Sequence, residues 1–246
     1  MSNNVSTFIS KLDKLSEQSI EVFLPSKKKV VTVTSLNLKQ QKDLVSSALD
    51  GIKGTLDFSR DLNNIILHNS GITDLTIVDK IPFAVSMRVE ALGTNYISNS
   101  AKVDLQVVLD NIKKTKLQFK EEQLIEHKNL KINLGIPTLT DENALLKNGA
   151  ANLSVEDGNY KEEVSILYML EIVKYVRGLE IDEVTVNMSD IKITDRMDLV
   201  DKLPLAVYTD ISDYIETVTS YNTGLLTVGE DSIDIDPLFF DSNSTE

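Results

Sequence analysis

The spacing of apolar positions divides the chain into helical and extended stretches. Val5, Phe8, Ile9, Leu12 and Leu15 recur at helical spacing between polar residues, which predicts an amphipathic helix over residues 1–19 whose stripe must be covered. Ile20 to Leu24 and Val30 to Thr34 are β-prone runs on either side of Pro25-Ser26-Lys27-Lys28-Lys29, a hairpin with its polar tip in water. Asn37 and Gln40 stand in capping-box positions ahead of a helix carrying Leu38, Leu44, Val45 and Ala48, closed by Asp50-Gly51. A second helix sets Phe58, Leu62, Ile65 and Ile66 on one face and stops at Gly71. Asp79 reads as the N-cap of a third, with Pro82 in the first turn, where a missing N–H costs nothing. Ile81, Val85, Val89 and Leu92 are its stripe.

The period changes over residues 101–137. Val103 to Val107 and Leu130 to Leu134 alternate apolar and polar, with Lys116 to Phe119 between them, and read as antiparallel strands with one wet face. Residues 138–160 are polar, with turn signals at Asn148-Gly149 and Asp157-Gly158, and predict a short helix and an exposed connection. Val164 to Val176 is apolar on much of its helical circumference, which predicts a deeply buried helix ending at Arg177-Gly178. Val184 to Val186 and Ile191 to Ile193 are short strand candidates, and a long helix is expected from about Asp201 to Val218.

The string Val78-Asp79-Lys80-Ile81-Pro82-Phe83-Ala84-Val85 returns as Val200-Asp201-Lys202-Leu203-Pro204-Leu205-Ala206-Val207, identical at six of eight positions. The expected fold class is therefore α+β: two related helical units flanking a small antiparallel sheet, with an N-terminal β-hairpin. Its segments are a helix (1–19), the hairpin and first helical unit (20–100), a β-rich middle (101–137), the second helical unit (138–228) and an acidic tail (229–246). That tail holds six acidic residues, no basic one, and an embedded Leu238-Phe239-Phe240.

Charge narrows the function. The formal net charge is −13, the opposite of what a phosphate backbone attracts, so nucleic acid is not an expected partner. The lysines at 27–29 and at 113, 114, 116 and 120 read as a hairpin tip and a solvated face. With no cysteine there is no disulfide and no thiol nucleophile, and His68 and His127 stand in no metal-ligand spacing. No run approaches the roughly 18 apolar residues of a membrane span, and no signal-peptide pattern opens the chain, so a cytoplasmic product is expected.

Motifs for chemistry are missing as well. There is no phosphate-binding glycine loop and no G-x-S-x-G elbow. Ser26 to Lys29 spells S-x-x-K, but in a hairpin turn, without the helix start that acylating serines need. Asp234-Ile235-Asp236 lacks the glycine and the terminal glutamate of a calcium loop. No catalytic residue, cofactor or metal is assigned, and a non-enzymatic role is expected.

One resemblance gives that role a shape. Val22-Phe23-Leu24-Pro25-Ser26-Lys27, a return strand, and then Leu36-Asn37-Leu38-Lys39-Gln40-Gln41-Lys42-Asp43-Leu44 look like the opening of the baseplate hub subunit family of T-even-like tailed bacteriophages. In that family an LPS-G-K hairpin leads into an LTVKQQKDLL helix. Tyr168 to Val176, Val200 to Pro204 and the Phe239-Phe240 tail are similar to its C-terminal half. The likeness runs loosely over most of the chain and is most specific from Lys39 to Leu44. Two departures stand out: lysine at 27 and 28 where the family often has glycine, and no Cys-x-x-Cys metal knuckle in the β-rich middle.

The resemblance implies a baseplate component, built in the host cytoplasm and retained in the virion tail. It would be oligomeric in the assembly and would contact other hub proteins and the tail tape measure. The alternative is an assembly chaperone that leaves before the virion is complete. Exposure and apolar content point to Pro25, Ser26, Lys27, Leu238, Phe239 and Phe240 as partner contacts.

Overall fold

The structure, a computed structural model, describes residues 7, 8, 11, 18–47, 51–98, 101–152 and 160–242. It is α+β, with small antiparallel sheets set among helices. Strands β1 (Ser19–Leu24) and β2 (Lys29–Thr34) form the expected hairpin, with Leu24 opposite Lys29. Alternation sends Ile20, Val22 and Leu24 inward, against the helix at Ile77–Leu92. Helix α1 (Leu38–Ser46) starts at the expected capping box: Gln40 donates its N–H to the Asn37 side chain (2.9 Å), and the Gln40 side chain accepts from the Asn37 N–H (3.1 Å). Helix α2 (Gly51–Ser70) buries Phe58, Leu62, Ile65 and Ile66 and ends at Gly71, whose φ of +65° is left-handed.

Helix α3 (Ile77–Leu92) is the central rod. From Ile77 to Arg88 only Lys80 escapes burial, so the fold covers this helix on all sides rather than along the one stripe expected. Its cap is Thr76, not Asp79. Asp79 is the third helical residue and accepts from the Thr76 N–H at 3.0 Å, which puts Pro82 in the second turn. The proline there deprives only the Val78 carbonyl of its helical donor.

The middle departs most from its reading. After the hairpin of β3 (Asn95–Ser98) and β4 (Ala101–Asp104), Asp104 caps helix α4 (Leu105–Lys114), so the strand expected to reach Val107 stops at Asp104. Leu105, Val108 and Ile112 are buried at positions i, i+3 and i+7, and this helical stripe prevails over the alternation of Val103, Leu105 and Val107. Lys116 to Phe119 is irregular. The main sheet has the order β5-β6-β7-β8, all antiparallel: β5 (Glu122–His127), β6 (Leu130–Gly135), β7 (Val176–Ile181) and β8 (Val184–Asn187).

Helices α5 (Leu139–Asn152) and α6 (Tyr160–Val173) are inserted between β6 and β7. Asn148-Gly149 is a turn signal in sequence but lies inside α5. A Cβ at Gly149 would sit 2.4 Å from Leu170 Cδ1, so the glycine there serves close packing of α5 on α6. Helix α6 ends three residues before Val176. The expected helical end at Arg177-Gly178 is instead a strand inside the sheet, where a Cβ at Gly178 would crowd the Val186 carbonyl oxygen at 3.3 Å. Residues 164–169 of α6 are not deeply buried: none of them is fully covered, and Val164 and Tyr168 are more than half exposed.

Ile191 to Ile193 is no strand: a short 3-10 turn at Met188–Asp190 leads directly to α7 (Ile193–Asp201). The long helix expected from about Asp201 to Val218 is α8 (Leu205–Leu225), which starts four residues later and runs past Val218, because the chain breaks at Lys202–Pro204 after α7. The two copies of the repeated string therefore differ in backbone. Pro82 falls near the start of α3, whereas Pro204 would interrupt a helix already running from Ile193, and the helix breaks.

The tail folds into a tight hairpin, β9 (Thr227–Val228) with β10 (Asp231–Ser232), and then a 3-10 turn at Pro237–Phe240. It belongs to the core, with Ile233, Phe239 and Phe240 all buried. Of the expected N-terminal helix, Val5, Ile9, Leu12 and Leu15 lie outside the described residues, as do Ala48 to Asp50 and Asp157-Gly158.

Candidate functional site

The residues expected to meet partners converge on an internal clasp. Pro25 is buried, and Ser26 and Lys27 are half-buried. Of the expected polar tip only Lys28 and Lys29 are in water, because Pro25 to Lys27 seat on the start of α3. The Asp79 carboxylate, fully buried, accepts from the Ser26 N–H (3.1 Å), the Ser26 hydroxyl (2.7 Å), the Thr76 N–H (3.0 Å) and the Thr76 hydroxyl (3.0 Å). Lys27 pairs with Asp74, whose carboxyl is held below its ordinary range by that ammonium group. A buried carboxylate is tolerable only when its lone pairs are satisfied, and here they are met by a helix start and a β-turn together. Ser26→Ala removes one charge-assisted bond and is expected to cost about 1–2 kcal/mol in urea unfolding. An unchanged midpoint would refute the seating of the tip.

The tail closes the other side of the same helix. Phe239 and Phe240 are fully buried, and only Leu238, 56% exposed, remains at the surface as expected of a contact residue. Phe239 meets Tyr96 edge-on at 5.1 Å, and Phe240 lies 6.2 Å from the Phe58 ring. Gln41 donates to the Phe240 carbonyl (2.9 Å), and buried Arg88 donates to the Phe239 carbonyl (3.0 Å). Arg88 also donates to the carbonyls of Gly93 (2.8 Å) and Asn95 (3.1 Å), and its guanidinium lies over the Tyr96 and Phe239 rings at 5.5 and 5.8 Å. Gln40 and Gln41, the middle of the Lys39–Leu44 string, thus serve as cap and tail anchor. The motif residues hold this chain to itself.

A second cluster escaped the sequence reading. Glu142 of α5 accepts from Lys80 of α3 (2.5 Å) and Asn63 of α2 (2.8 Å), with Lys174, just past α6, at 3.6 Å. Lys174 also pairs with Glu171 at 2.6 Å. Burial pushes the Glu142 carboxyl up, but the two lysines and the Asn63 amide outweigh it and hold the group down at about 2. Burial likewise works against charge on Lys174, and its two glutamates outweigh that and raise it. Near neutral pH these groups are locked in their charged forms, which suits bracing four helices and not proton transfer. The cluster lines a cleft of about 320 Å³ floored by α8, where the side-chain amide oxygen of Asn222 is buried without a partner among the described residues. No metal-ligand cluster occurs among the described residues.

Some large apolar side chains stay exposed. Val164 and Tyr168, one turn apart on α6, are 57% and 53% exposed, and Leu205 at the start of α8 is 82% exposed. Tyr168 packs on Tyr208 of α8, with ring centroids 5.9 Å apart, which joins the three into one patch across the two helices. Helical spacing carried no signal for this patch, because apolar residues all round α6 read as core. No helix among the described residues is long and apolar enough to cross a membrane. No family model, curated protein or solved structure matches the chain.

Proposed function

We propose that this chain is a non-enzymatic structural and assembly subunit of a tailed-phage baseplate hub, working through contacts with other hub proteins and the tape measure. The observation that carries the reading is the Val164–Tyr168–Leu205–Tyr208 patch, large apolar side chains displayed on two packed helices. Such groups cost free energy in water and gain it when a neighbour covers them, by about 25 cal/mol per Å². The string from Val22 to Leu44 supports the family assignment, although its side chains serve the internal clasp. The contact surface therefore moves from the hairpin tip and the two phenylalanines to α6 and α8.

The test uses infected cells expressing either the wild-type chain or a Tyr168→Asp, Leu205→Asp variant, with purified particles examined by mass spectrometry. The wild-type chain is expected in particles and in complex with hub proteins, and the variant is expected to stay folded and be left in the lysate. A wild-type chain found only in lysate, bound to hub proteins, would instead identify an assembly chaperone. Equal incorporation of the two chains would refute the role of the patch.

A further inference from the structure

Strand β8 is one edge of the main sheet, and among the described residues no strand pairs with its outer side. Strands β7 and β8 are joined by the two-residue turn Asp182-Glu183, both residues left-handed at φ +48° and +69°, as type I′ hairpins require. Such a turn makes Ile181 and Val184 a hydrogen-bonded pair, and Leu179 and Val186 the next. The backbone groups of Thr185 must then point away from β7, and so must the N–H of Asn187. Among the described residues they meet no backbone partner, and both residues are exposed.

The opposite edge is blunted: β5 carries Glu122 and Glu126, and Tyr214 of α8 donates to the Glu121 carbonyl at its start. Strand β8 reads Val-Thr-Val-Asn, with no charge and no proline. At its turn end Val184 is 69% exposed and its cross-strand neighbour Ile181 is 48% exposed.

The charge pattern says what can cover this edge. Two copies of a chain with net charge −13 repel wherever carboxylates face each other. β8 is an uncharged strip, and in antiparallel pairing it complements itself: outward donors and acceptors meet the same groups of the other copy, and valines meet valines. We infer that the chain dimerises edge to edge through β8 about a two-fold axis, joining two four-stranded sheets into one continuous sheet. This inference does not rest on the baseplate reading.

Sedimentation velocity of the full chain from low to high micromolar concentration tests it. The wild type is expected to shift from monomer to dimer mass, more readily in added salt, because screening weakens the repulsion between acidic copies. Thr185→Pro deletes an outward N–H and leaves the bonds to β7 intact, so it is expected to be a folded monomer throughout. Should that variant fail to fold, Val184→Lys places like charges beside the axis from an exposed position and is expected to abolish the dimer. A wild type that stays monomeric at the highest concentration would overturn the inference. So would a dimer that survives in either folded variant, or a monomer whose β8 edge takes up a partner's strand.

Discussion

Phe239→Ala is expected to lower the unfolding free energy by about 3–5 kcal/mol, a large part of the roughly 5–15 kcal/mol that holds a typical domain together. The ring is fully buried between Tyr96, Phe240 and the Arg88 guanidinium, so its removal loses the transfer free energy and leaves a cavity. The cavity has little means of collapse, because Arg88 is tied to three carbonyls and Phe240 is held by Gln41. Leu238→Ala, one residue away but 56% exposed, is expected to change stability by less than about 0.5 kcal/mol. Urea unfolding of the two variants makes the comparison. If both midpoints stayed with the wild type, the tail would not be part of the core.

The second large effect belongs to Glu142. Glu142→Gln leaves Lys80 and Lys174 close together in a buried site without their shared counter-charge, and breaking a buried pair this way costs about 3–5 kcal/mol. Acid does the same to the wild type. The carboxyl sits at about 2 in the fold against 4.5 when free, so its contribution is fully present above pH 4.5. It is lost as pH falls through the folded value, and amounts to about 3 kcal/mol. Unfolding free energy followed from pH 6 to pH 2, roughly the window in which this group titrates, should fall more steeply in the wild type than in Glu142→Gln. Parallel curves would show that Glu142 is not the group that responds.

Where local chemistry decides structure, the chain was legible. The turn at Pro25 to Lys28, the Asn37–Gln40 box and the Gly71 stop each need a particular residue at a particular place, and each is where its residues put it. The errors came where two periods competed or where distant chain decided. Leu105 fits both a strand with Val103 and a helix with Val108, and burial of Ile112 settles it. Val176 to Gly178 continues an apolar helix in sequence, but β6 and β8 on either side claim it for the sheet.

The clasp is hidden from the sequence for a similar reason. Polarity and chain position suggest exposure, whereas Asp79 lies 53 residues from Ser26, and Gln41 lies 199 from Phe240. Nothing local to the hairpin or the tail announces those bonds. The Glu142 cluster gathers side chains from four separate helices and is invisible to any motif. The same lesson applies to α6 and α8, where apolar residues with no local reason to be exposed are left uncovered.

Native-state hydrogen exchange at the Phe239 amide is the most direct test of whether these motifs hold the chain to itself. That N–H donates to the Asp236 side chain at 2.9 Å beneath buried rings. Protection approaching that of α3, lost only on global unfolding, is the expected result. Exchange within seconds under native conditions would contradict it, and would return the two phenylalanines to the surface as partner contacts.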